Sequence, residues 1–118
     1  MDHIYLRSQK DERGIRRIGA IGIKTYRRAV DNEGNMIKRF VIKGSFCSPK
    51  DNFSKETARE YLYSTLGIDI TPEILEKVTF KSVMKRFKFE APAIKQGLDW
   101  ERAEASFNKL KARAIESD

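Results

Sequence analysis

Residues able to do covalent or metal chemistry are few and scattered in this chain. Cys47 is its only thiol. A cysteine nucleophile must be held as thiolate by a base or a nearby cation. The only histidine, His3, lies far away in the sequence, and although Lys43 and Lys50 flank Cys47, no spacing marks a triad. A small buried side chain is the plainer use of this cysteine. The segment DNEGN, residues 31–35, offers oxygen ligands but lacks the further spacing and closing glutamate of a calcium loop. It is a turn by composition. Asp31, Glu33, Asp51 and Glu60 could meet a lysine in space, as a metal-dependent nuclease requires, but nothing in their spacing demands it. There is no phosphate-binding glycine loop, and GAIG at 19–22 is too short for a dinucleotide fingerprint. The chain is therefore expected to carry no catalytic site, metal or cofactor.

The chemistry the sequence does advertise is anion binding. The net charge is +7. Residues 1–50 hold 12 Lys/Arg against 5 Asp/Glu, a surplus of +7, while residues 51–118 hold 12 of each. The whole excess thus belongs to the N-terminal part, which points to an anionic partner for that part. The candidate phosphate contacts are Arg16, Arg17, Lys24, Arg27, Arg28, Lys38, Arg39 and Lys43. Arginine predominates, which suits bidentate contact with phosphate. Tyr5 and Tyr26 are candidate stacking partners for bases. A second cluster, KRFK, adds Lys85, Arg86 and Lys88, with Lys81 nearby. Taken alone, such a run is usually a solvated face. No helix-turn-helix or RNP signature is present, so sequence-specific readout is not expected.

These residues must be positioned by elements that the hydrophobic pattern outlines. Residues 1–14 are polar and are expected to be loosely held, with at most a short strand at His3–Arg7 and an exposed loop in QKDERG. Residues 15–30 read as a strand with apolar side chains on both sides, either central or bulged near a glycine. Gly34 supplies the positive φ of a hairpin loop. The partner strand, 36–46, turns Met36, Phe40, Ile42 and Phe46 inward and Arg39 and Lys43 outward. The outer sheet face would then carry Arg17, Arg27, Arg39 and Lys43.

Pro49 cannot donate to a sheet, so the strand must stop before it. Ser54 is a good N-cap for KETAREYLYSTL, Phe53 can staple back on the first turn, and Gly67 is expected to close that helix as its left-handed cap. Thr71 and Pro72 start another helix containing Ile74, Leu75 and Val78. Residues 79–91 are ambiguous. A helix would turn Phe80, Val83, Met84 and Phe87 inward, and a strand would align Val83, Phe87 and Phe89. A short helix followed by a strand or irregular stretch is favoured, with Pro92 closing the segment. Asp99 caps a last helix whose Trp100, Ala103, Phe107, Leu110 and Ala114 recur at helical spacing. That stripe is expected to serve the core, though it could also form a homodimer seam.

At 118 residues, with 40% apolar and 35% charged composition, the chain is expected to be a single domain spanning 1–118. The expected class is α+β, an N-terminal antiparallel hairpin or meander packed against two or three helices. No apolar run could span a bilayer and no signal-like segment opens the chain, so the expectation is a cytoplasmic protein without membrane contact.

The stretch FCSPKDNF, residues 46–53, followed by Ser54-Lys55 and Ala58-Arg59, resembles a segment of small bacteriophage-encoded proteins that have no established activity. In those, a strand runs into F-C-S-P-K-D-x-F and then a basic helix start, often with Gly-Arg where this chain has Ala58-Arg59. The likeness covers residues 46–59 and implies a phage accessory protein, with no catalytic role to carry over. Ala58 is the better helix former, in keeping with a capped helix. The stretch itself reads as a strand-to-helix corner, with Lys50 and Arg59 near the basic face. The expected function is sequence-independent nucleic-acid binding by the outer face of the hairpin. The competing expectation is a modulator of a host factor that binds an acidic protein surface.

Overall fold

The computed structural model describes residues 2–30, 32–46 and 67–116, the side chains of 27–30, 36 and 37 excepted. Four strands form one antiparallel sheet in chain order: β1 (Asp2–Arg7), β2 (Arg17–Val30), β3 (Met36–Phe46) and β4 (Ile68–Ile70). Among the described residues there are four helices, α1 (Pro72–Lys77), α2 (Phe80–Arg86), α3 (Glu90–Lys95) and α4 (Trp100–Glu116). This is the α+β arrangement that the pattern called for. Cys47, Ser54, Lys50, Arg59 and the helix expected after Ser54 lie outside the described residues.

The β2–β3 hairpin is the spine. Gly34 takes φ +84° in the loop, a backbone that side-chain-bearing residues resist. Thr25 faces Phe40, Ile23 faces Ile42 and Ile21 faces Gly44, so these residues share one side of the sheet. The same side carries Ile4 and Leu6 from β1 and Ile68 and Ile70 from β4. The helices cover it. Leu6, Ile21, Phe40, Ile42, Leu75, Phe80, Met84, Phe107 and Leu110 form one buried cluster.

Several expectations are corrected. The short strand expected at His3–Arg7 is present as β1, paired with β2 from Asp2 to Arg7 and with Leu6 fully buried, so residues 2–7 are not loosely held. Leu6 and the half-buried Ile4 anchor the segment, too few apolar residues to register as a pattern. QKDERG is the exposed loop expected, and its Gly14 has φ +79°. β2 is interior and bulged near a glycine, both as expected: the extra residue opposite Leu6/Arg7 is Ile18, beside Gly19, and a second irregularity falls between Tyr26 and Ala29. Gly67 has no left-handed backbone and is no helix cap of that kind. It precedes β4, a strand the pattern did not reveal.

Residues 79–91 contain no strand. Thr79 and Ser82 form a reciprocal cap for α2, with the Ser82 N–H donating to Thr79 Oγ1 at 3.2 Å and the Thr79 N–H to Ser82 Oγ at 3.1 Å. Phe80, Val83 and Met84 are buried as the helical alternative requires. Lys88 then reverses the chain at φ 62°. Pro92 does not close the segment but sits third in α3, where its missing N–H would have had no intrahelical partner.

The last helix is the one expected. The Asp99 carboxylate accepts from the Arg102 N–H at 3.2 Å, and Ala103, Phe107, Leu110 and Ala114 are buried. The stripe that could have formed a dimer seam is spent inside the chain. From the same helix, Lys111 donates its ammonium to the carbonyls of Val78 (2.9 Å) and Glu76 (3.3 Å), closing the C-terminal end of α1. Lys111→Met keeps the stem and removes these charge-assisted bonds. It is expected to cost about 1.5 kcal/mol in urea unfolding. A loss below about 0.3 kcal/mol would mean that water replaces the ammonium without cost.

Candidate nucleic-acid interface

The outer face of the sheet follows from the same register. His3 faces Gly22, which faces Lys43, and Tyr5 faces Ala20, which faces Ser45. Lys24 pairs with Val41 and Tyr26 with Arg39. All of these point away from the helix-covered side. Ala20 and Gly22 are buried, and the larger side chains around them are half-buried.

Arg17 reaches this face because of an extra residue in β2. Leu6 pairs with Gly19, but Arg7 pairs with Arg17, leaving Ile18 unpaired. In an uninterrupted strand Arg17 would point to the same side as Gly19 and Ile21. The bulge reverses it and lets Ile18 join the core, where it is 3% exposed. The Arg17 guanidinium lies over the Tyr5 ring, 5.3 Å from its centroid. Its buried Nε has no hydrogen-bond acceptor, and Arg17 makes no ion pair among the described residues. Further along, the Lys24 ammonium lies 4.9 Å from the centroid of Tyr26. His3 meets Tyr5 edge to face at 5.2 Å, with its Nε2 3.3 Å from the tyrosine hydroxyl. Cations and rings therefore alternate along β1 and β2 on one surface.

Not every candidate cation belongs to this surface. Arg16 is turned into the preceding loop, where its guanidinium pairs with Asp11 at 2.8 Å. Lys38 alternates with Phe40 and so lies on the helix side, its ammonium 5.4 Å from the Phe40 centroid. Lys85, Arg86, Lys88 and Lys81 are exposed, but they belong to the helical layer. The two basic clusters are thus on opposite layers of the molecule. Arg27 and Arg28 occupy the irregular stretch of β2 between Tyr26 and Ala29, and their side chains lie outside the described residues. Arg17, Lys24, Arg39 and Lys43 do share the outer face.

The sequence reading missed the acid on this face. Asp69 of β4 accepts from Arg39 Nε at 3.0 Å. Its outward position is readable only once Ile68 and Ile70 are known to form a strand against Ile42 and Phe40.

Among the described residues, no three of His, Cys, Asp and Glu converge as a metal site. Asp31, Asp51 and Glu60 lie outside the described residues. No described helix is long and apolar enough to cross a membrane. What the outer face can do chemically is hold an anion beside an aromatic ring. The chain matches no family model, no curated protein and no solved structure.

Proposed function

We propose that this chain is a small, non-catalytic nucleic-acid-binding accessory protein that uses the outer face of its sheet and reads no sequence. The observation that carries the reading is the alternation of Arg17 with Tyr5 and of Lys24 with Tyr26 on one face. Phosphates need cations and unstacked bases need rings, and a binder of single strands requires the two interleaved. The charge surplus of residues 1–50 puts the attraction in the same region. The resemblance of residues 46–59 to a bacteriophage segment suits a phage-encoded accessory role in the cytoplasm.

The test is a fluorescence-anisotropy titration of labelled oligonucleotides across salt, comparing wild type with Arg17→Gln/Lys24→Gln. Each phosphate contact to a single strand contributes about 0.7 to the log–log salt slope. Losing two should weaken binding roughly 25-fold at about 0.1 M salt and flatten the slope by about 1.4. An absence of wild-type binding at low salt would sink the reading. The search would then turn to an acidic protein surface, starting with a host protein that stays bound at salt that strips nucleic acid.

A further inference from the structure

Two adjoining cavities follow β1 on the side where α4 packs. One, of about 260 Å³, is lined by Tyr5, Arg7, Asp99, Arg102 and Ser106. The other, of about 450 Å³, is lined by Lys109 and Arg113, and the two share Ile4 and Ser106. Arg102, Ser106, Lys109 and Arg113 recur at four, three and four residues, so they form a single stripe along α4. That stripe runs beside the buried stripe of Ala103, Phe107, Leu110 and Ala114. Of the helix glutamates, Glu101 and Glu104 fall on other faces, and Glu116 ends the stripe one turn beyond Arg113.

Arg7, Arg102, Lys109 and Arg113 make no ion pair among the described residues. Asp99 is engaged in capping α4, where it accepts from the Arg102 N–H. Asp2 and Glu116 are exposed and line neither cavity. Four cations without an ion-pair partner among the described residues therefore line these two adjoining cavities, and three of them are arginines that match phosphate geometry.

The cleft connects to the outer face. Tyr5 lines the first cavity and also lies under the Arg17 guanidinium. The cation path thus starts at Lys24, passes Tyr5 and Arg17, turns round the edge of β1 at Arg7, and continues along α4 to Arg113. A duplex cannot follow it, because double-stranded DNA is stiff over about 150 base pairs and this turn is taken within the thickness of a strand. A single strand bends freely at each nucleotide.

We infer that the β1–α4 cleft is a second phosphate-binding track and that the nucleic acid this protein takes is single-stranded. The inference rests on the nucleic-acid reading given above. Its test uses the full chain with three exposed changes, Arg102→Gln/Lys109→Gln/Arg113→Gln, which keep good helix formers in α4. Wild type and variant are titrated with a labelled oligothymidylate and with the same strand annealed to oligodeoxyadenylate. Circular dichroism verifies that α4 is intact.

Wild type should prefer the single strand. The variant should lose about 100-fold in affinity for it at about 0.1 M salt, with a slope lower by about 2. Duplex binding should change little. If the variant keeps single-strand affinity while Arg17→Gln/Lys24→Gln loses it, the cleft is no track and only the outer-face reading stands. A wild type that prefers duplex also overturns the inference. A wild type that binds neither probe but binds polyglutamate would overturn both readings in favour of an acidic protein partner.

Discussion

Phe107→Ala is expected to remove about 4 kcal/mol of folding free energy. Phe107 is fully buried, and its ring meets that of Phe80 at 5.9 Å. Phe80 in turn meets Trp100 edge to face at 5.8 Å. These three rings join α2 to both turns of α4 that face it. Alanine would remove the apolar area of a whole ring and leave a void that flanking aromatics, already fixed by one another, cannot close. Whole domains are stable by only about 5–15 kcal/mol, so the variant should sit near its folding threshold. For a chain of this length the melting temperature should fall by roughly 15 °C. A loss of unfolding free energy below about 1 kcal/mol in urea would show that the core collapses round the site and that the aromatic cluster is not its keystone.

Gly67→Ala should be nearly as damaging, at about 3 kcal/mol, although it adds one methyl group. A Cβ at Gly67 would stand 2.5 Å from the Ile42 carbonyl oxygen and 2.8 Å from Lys43 Cγ, and would strike Val41 Cγ1. A backbone carbonyl in a paired strand cannot swing aside as the tip of a side chain can. β4 must therefore lift away from β3, giving up its pairing with Phe40, Val41 and Ile42 and withdrawing Ile70 from the core. Gly44→Ala offers the contrast, since its Cβ would meet side-chain rings rather than backbone, Phe89 at 2.9 Å and Phe87 at 3.2 Å, both half-buried. Amide chemical shifts should move at Ile68–Ile70 and Phe40–Ile42 in the Gly67 variant. A cost below about 0.5 kcal/mol would place the Ile42 carbonyl elsewhere.

Legibility followed the distance over which each feature is decided. The hairpin was readable because Gly34 and the alternation of Phe40 with Ile42 are local signals, and its glycine does take positive φ. α4 was readable because a cap at Asp99 and a stripe from Ala103 to Ala114 repeat over four turns. β4 was not, because three residues hold no period. The segment 79–91 was ambiguous because Val83, Phe87 and Phe89 fit two periods. The Thr79–Ser82 cap and the left-handed turn at Lys88 decide it, and neither is a hydrophobic signal. At the candidate site the charges were legible and their faces were not. Arg17 faces outward only because β1 pairs with a bulge in β2, and Arg39 meets an acid 30 residues away.

That last pair couples two equilibria. The Arg39–Asp69 contact is exposed on both sides, 39% and 61%, so it is worth at most about 1 kcal/mol. Yet Asp69 reaches Arg39 only while β4 is docked. A phosphate that takes the Nε edge of Arg39 must displace Asp69 and so withdraws one of the contacts that keep the short strand in place. By thermodynamic reciprocity, whatever loosens β4 must raise the affinity of Arg39 for an anion by the same factor, up to about fivefold. On the nucleic-acid reading proposed above, the end of the sheet would work as an ion exchanger, in which a tethered carboxylate reserves the arginine until a multiply charged polymer replaces it.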